Sequence, residues 1–198
     1  MPRRFRIGLL LTLVVATALH AQEMTLQLDP ANTKIEFTLS ATLHTVHGSF
    51  ILKRGTIDFN PETGSAGGLV VVDTTSANTG NEGRDRKMHK EVLESQRYPE
   101  ASFTPTKLTG KLDPQGDSEV HVEGSFRLHG SDHPITLTAP VQVKGTAVNI
   151  KTHIVVPYVA WGMKNPSILF LHVGDSVDVD ITASGQLTRK EAPAPDSH

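Results

Sequence analysis

KIEFTLSATL, residues 34–43, is the stretch from which the fold is read. Ile35, Phe37, Leu39, Ala41 and Leu43 alternate without a break with Lys34, Glu36, Thr38, Ser40 and Thr42. A period of two puts one set on each face of an extended chain, so the segment reads as a strand with one apolar and one wet face. The pattern recurs in SEVHVEGSFRLHG, residues 118–130, through Val120, Val122, Phe126 and Leu128. It returns in ITLTAPVQV (135–143), AVNIKTHIVV (147–156) and DSVDVDITA (175–183).

Turn residues punctuate these runs: NPETG at 60–64, DPQGD at 113–117, HGSDHP at 129–134 and VKG at 143–145. Short connections imply antiparallel neighbours. The strands expected are 24–28, 34–43, 48–59, 68–73, 101–111, 118–128, 135–143, 147–156 and 175–187, with a break near Lys53-Arg54-Gly55. Long one-faced strands with almost no helix to cover them are accommodated by curling the sheet on itself. The fold class is therefore all-β, an antiparallel barrel of about eight strands, with a two-sheet sandwich as the competing architecture.

One stretch breaks the rhythm. GNEGRDRKMHKEVLES, residues 80–95, spaces Met88, Val92 and Leu93 like a helix, with Asn81 or Asp85 available to cap it and Pro99 ending it. One short helix is expected at about 85–96. Asp85 and His89 stand at i and i+4, but no nucleophile motif accompanies them, so they read as an ordinary helix-surface pair. Acids interleave with the basic residues here and no aromatic platform is present, which excludes nucleic-acid binding. The stretch reads as a charged helix covering one end of the barrel.

The first residues have a different character. Arg3, Arg4 and Arg6 precede an uncharged apolar run, Ile7 to Ala18, with small residues at Ala18 and Ala21. That layout is a secretory signal peptide, 1–21, and the run is too short to span a membrane comfortably. Its removal takes Lys plus Arg from 19 to 16 against 21 Asp plus Glu, a formal charge of −5. The expectation is a periplasmic or secreted protein with a single domain over 22–188 and a disordered polar, Pro-rich tail over 189–198. With no cysteine there is neither a disulfide nor an N-terminal lipid-anchored cysteine.

Histidines are numerous. His44 and His47 are three apart on a strand end and face opposite ways. His129, Asp132 and His133 flank a turn and form the one candidate two-histidine, one-carboxylate set. A metal-dependent enzyme or sensor at that set is one alternative reading. Another is a secreted interaction module that uses the loop PYVAWGMKNPSILFL, 157–171, whose SILFL run is either buried or sticky.

Several quoted pieces, in order, resemble the YceI-like family. NTGNEGRDRKMHKEVLESQRYPEASFTP (78–105) is similar to a run in which TG, RD, L, YP and F link two strands through a short helix. LDPANTKIEFTLSATLHTVHGSF (28–50), GTIDFNPETG (55–64) and VEGSFRLHGSDHPITL (122–137) resemble the opening, the next hairpin and a later strand pair. The likeness spans about residues 26 to 187. Where that family often carries an R-x-D-F-G stretch, this chain has VPYVAWGMKNPSILFLHVGD at 156–175, and only Gly162 holds the place.

The lack of a nucleophile motif beside Asp85 and His89, and the outward parity of the strand histidines, lead to the expectation of no enzymatic activity, cofactor or metal. The resemblance implies an elongated lipocalin-like barrel. It further implies an isoprenoid (isoprenoid-quinone-like) or other long-chain lipid in the lumen. The expected lumen residues are Ile35, Phe37, Leu39, Phe50, Phe59, Met88, Phe103, Phe126, Leu137, Val148, Ile150 and Trp161, with Phe170 among the aromatics on the same apolar inventory. Arg84, Arg86 and His89 are the candidates for a head group at the mouth. A homodimer stays open. By periodicity alone, the apolar faces read as packed core before cavity, and it is the resemblance that moves the reading towards a ligand.

Overall fold

The computed structural model describes residues 23–42 and 44–190; the expected signal peptide, Leu43 and most of the expected tail lie outside them. Nine strands form one antiparallel sheet: β1 (Met24–Leu28), β2 (Lys34–Ser40), β3 (Thr45–Phe59), β4 (Ala66–Asn78), β5 (Glu100–Thr109), β6 (Asp117–Leu128), β7 (Ser131–Lys144), β8 (Ala147–Val156) and β9 (Val177–Arg189). Pairing of β3 with β4 closes the sheet into a barrel and removes the sandwich alternative.

β1 and β2 both lie between β3 and β9. β1 pairs with residues 56–59 of β3 and 185–189 of β9, and β2 with residues 45–50 and 178–182. They are two halves of one barrel strand, interrupted by a turn at Pro30–Asn32 that Asp29 caps. Eight strand positions therefore surround the lumen. A proline has no N–H to give a ladder, so it sits in this interruption rather than within a half-strand.

The expected break near Lys53 is a bulge in a continuous strand. Leu52 pairs with Val72 and Arg54 with Val71, which leaves Lys53 as the extra residue. The inward set switches there from Val46, Phe50 and Leu52 to Ile57 and Phe59. One inserted residue reverses parity, so a strand that keeps its apolar face inward through the switch must bulge. Thr106 does the same in β5, after Pro105.

β2 ends at Ser40 rather than at residue 43, because Ala41 bridges to Val173 and Thr42 bonds to His172. The tail also starts later than expected: Arg189 pairs with Met24, and Lys190 donates to the Glu23 carbonyl at 2.9 Å.

The helix, α1 (Glu82–Lys87), begins three residues before the expected 85, with Asn81 as its cap through a bond from the Arg84 N–H. Asp85 does not cap; it turns back to accept from the Thr79 N–H at 3.0 Å. A π-helical turn, Met88–Val92, follows and ends the helix before residue 96. There the Leu93 N–H reaches the Met88 carbonyl and Glu94 takes φ 44.

Connections are unequal at the two ends. One end carries the short turns at 60–65 and 145–146, the 110–116 loop and the outer ends of β1 and β9. The other carries α1, the His129-Gly130 hairpin and the long 157–176 connection. At that hairpin both central residues have positive φ, the geometry of a tight β-hairpin turn.

Candidate functional site

The inward side chains do not fill the barrel. A cavity of about 680 Å³ runs along its axis, within the range of small-molecule sites. Its closed end rests on a packed cluster that includes Leu26, Phe59, Val143, Val148 and Leu187. Further along, Leu39, Phe50, Val122, Phe126 and Ile150 are only partly buried although they face inward, because they border space rather than atoms. The wall members that are exposed, His44, Asn81, Gly83 and Ile168, all belong to the end that bears α1 and the long connection. That end is the mouth.

The depth of the lumen offers no free polar group among its threonines. Thr74 donates to the Tyr98 carbonyl and Thr152 to the Thr138 carbonyl at 3.0 Å. Ser102 is a further hydroxyl on the wall, and the basic side chains of the wall, Arg84 and Lys87, are confined to the mouth. Arg84 lies on the wall with Nε on Thr79 Oγ1 at 2.7 Å and Nη2 on the Thr79 carbonyl at 2.9 Å. Lys87 Nζ donates to the Pro166 carbonyl at 3.0 Å, and Lys164 Nζ meets Glu91 Oε2 at 2.6 Å, so two contacts tie the helix to the long connection across the opening. Lys164 holds the Glu91 carboxyl below the usual carboxylate range, first through its hydrogen bond and then through its charge. Tyr158, 4 % exposed, donates its hydroxyl to the Gly174 carbonyl at 2.7 Å. Burial, with Asp175 adding to it, pushes its phenol up to about 12.

Of the expected lumen residues, Ile35, Phe37, Leu39, Phe50, Phe59, Met88, Phe103, Phe126, Leu137, Val148 and Ile150 border the cavity. Trp161 does not. It stacks on His133 with ring centroids 3.9 Å apart and tilts against Phe126 at 5.9 Å, because the turn begun at Pro157 carries it to the β6–β7 hairpin. Phe170 is 90 % exposed and outside the lumen.

Of the three mouth candidates only Arg84 reaches the wall. Arg86 is on the exposed side of α1. His89 is turned away, with Nε2 2.9 Å from the Ala77 carbonyl and Nδ1 2.9 Å from Ser95 Oγ. A carbonyl only accepts, so Nε2 carries the proton and the serine hydroxyl donates to Nδ1. His89 thus fastens the helix to β4, and with Asp85 bonded to Thr79 the two do not form a pair. Sequence reading missed Thr79, Asn81 and Lys87 at the mouth, and Tyr158, Met163, Ile168 and Leu171 from the long connection. Helical spacing held a signal for the mouth: Arg84, Met88 and Val92 share one stripe, which Arg86 and His89 leave.

The candidate metal set does not converge. Asp132 is paired with Arg127 at 2.8 Å, His129 packs on Tyr98 and His133 on Trp161. Among the described residues no group of three histidines and acids is placed to hold a metal ion. Nor, among them, is any helix long and apolar enough to cross a membrane.

The structure of BcnA from Burkholderia cenocepacia superposes with a TM-score of 0.65 at 14% identity, over 79% of this chain and 98% of that one. A polyisoprenoid binding domain from Saccharophagus degradans, implicated in plant cell wall breakdown, gives 0.62 at 17% identity over 81% and 97%. At these identities the likeness is one of fold. Among curated proteins none matches the chain in sequence. The model of the YceI-like domain matches residues 26–184, most of the chain, and this protein therefore belongs to the YceI-like family.

Proposed function

We propose that the protein is an exported carrier or store of a long-chain apolar lipid of isoprenoid or isoprenoid-quinone type. The chain occupies the lumen and any polar head group stays at the mouth. The observation that carries this reading is the lumen itself: about 680 Å³, walled mainly by aliphatic and aromatic side chains, with its basic residues Arg84 and Lys87 at the opening. Each buried methylene-sized unit contributes about 0.8 kcal/mol, so about ten would supply ~8 kcal/mol with no polar contact in the depth. Association costs reduce that figure, and the mouth offers Arg84, Lys87 and the Asn81 amide to a head group.

Among the described residues, the histidine–serine pair His89 and Ser95, 2.9 Å apart, lies off the cavity wall. The polyisoprenoid binding described for the Saccharophagus degradans domain supports the ligand class. The basic-apolar-small pattern of residues 1–21 supports a periplasmic or secreted location.

The test is titration with a fluorescent long-chain polyene. The protein should take up one equivalent with micromolar or tighter affinity. Val122→Trp, which places an indole in the lumen, should keep the fold and weaken uptake at least tenfold. Equal uptake by both proteins would remove the lumen as the site.

A further inference from the structure

The long connection carries a feature that the lumen leaves unused. Ile168 and Leu171 exchange backbone hydrogen bonds of 3.1 and 2.8 Å, which puts Leu169 and Phe170 at a two-residue tip. These two are 91 % and 90 % exposed, and Ile168 beside them 56 %. Among the described residues the other exposed large hydrophobics, Ile51, Leu69 and Val155, are single positions on the outer faces of strands. Leu169 also holds φ 43, a left-handed conformation that a leucine rarely adopts.

The tip is built rather than loose. Asn165 Oδ1 accepts from the Ser167 N–H at 2.8 Å, and its amide donates to the Val173 carbonyl at 3.0 Å. The Val173 N–H donates to Ser167 Oγ at 2.8 Å, and the His172 N–H to Thr42 Oγ1 at 3.0 Å. With the base bonded in this way, two large apolar side chains are held out into solvent.

We propose that Leu169 and Phe170 enter the outer layer of an anionic phospholipid bilayer and seat the barrel with its mouth on the membrane. The use of such docking, passage of cargo between bilayer and lumen without crossing water, rests on the carrier reading; the docking geometry does not.

Three observations select a bilayer over a protein partner. Ile168 and Leu171, which flank the tip, border the cavity, so apolar surface continues from the tip into the lumen. Arg84 and Lys87 stand at the same mouth and bond hydroxyl and carbonyl oxygens. Over residues 82–92 the basic Arg84, Arg86, Lys87 and Lys90 outnumber the acidic Glu82, Asp85 and Glu91, and Glu91 is already paired with Lys164, which leaves this side of the mouth net positive for lipid phosphates. Finally, a two-residue protrusion is too small a patch for a stable protein interface, which buries on the order of 1,200 Å² or more, whereas insertion into a bilayer needs no complementary pocket.

The experiment is flotation of the protein lacking residues 1–21 with vesicles of phosphatidylethanolamine and phosphatidylglycerol, free of isoprenoid. The wild type should float with the vesicles. L169S/F170S should lose at least tenfold in vesicle affinity, with circular dichroism and polyene uptake unchanged. F170W should be quenched by brominated acyl chains, while Trp161, packed on His133, should not be in the wild type. Equal flotation of wild type and double variant, no flotation of either, or an unquenched F170W would each overturn the proposal. So would a concentration-dependent dimer that the double variant abolishes, which would assign the tip to a second copy. Flotation without polyene uptake would uphold docking and remove the carrier reading.

Discussion

Gly48 stands opposite Phe37 on the β2–β3 ladder, and a Cβ there would lie 2.3 Å from the Phe37 ring. Gly124 stands opposite Pro105, and a Cβ there would lie 2.6 Å from the diagonal Phe103 ring. In both places a glycine lets an aromatic ring lie flat over the neighbouring strand. The Cβ at position 48 would also lie 2.7 Å from the Asn78 carbonyl oxygen, a backbone atom that cannot swing aside. Gly48→Val should therefore destabilise the barrel by about 1–3 kcal/mol, the usual cost of overpacking, as read from urea unfolding. The companion change Phe37→Leu in that background should recover part of the loss. Tyr158 makes a second prediction at this scale. Its folded pKa is raised to about 12, so its contribution is fully present below pH 10 and is lost as pH rises through about 12. Thermal melts should show that alkaline loss in the wild type and less of it in Tyr158→Phe, which should itself be less stable by about 1 kcal/mol at neutral pH.

At the scale of elements, α1, its π-helical turn and the 157–176 connection face each other across the mouth, joined by Lys164 to Glu91 and by Lys87 to the Pro166 carbonyl. Glu91→Gln should speed release of a bound polyene a few-fold in stopped-flow measurements and leave the amount bound almost unchanged. The Glu91 pKa is depressed, so the tie is present above the ordinary carboxylate range and weakens as pH falls through the lowered value. Release from the wild type should accelerate in the same acid range, and release from the variant should not.

How far these elements were legible depends on periodicity. Alternation at Ile35, Phe37 and Leu39 reports directly which way each side chain points, so the strands and most of the wall follow from it. The parity switch beside Lys53 was visible as a disturbance, but a break and a bulge disturb the pattern alike. The 157–176 connection has no period at all. Trp161 was placed in the lumen for its hydrophobicity, and hydrophobicity does not say which surface a turn residue meets. Arg86 and His89 were chosen for charge, although the stripe through Arg84, Met88 and Val92 already set them aside.

The described residues form a closed sheet in which the first and last strands of the chain pair, β1 lying against β9 from Met24–Arg189 to Leu28–Gly185. Closure removes free strand edges, so the apolar surface of the barrel is gathered inside, around a lumen that its own side chains leave open. The account stands on that lumen being occupied by lipid. Native mass spectrometry of the protein isolated from the cell envelope of its own organism, followed by solvent extraction of the bound material, tests this most directly. One long-chain lipid per protein, of isoprenoid or quinone mass and absent from Val122→Trp, is the predicted result. A bare protein mass from the wild type under the same conditions would contradict it.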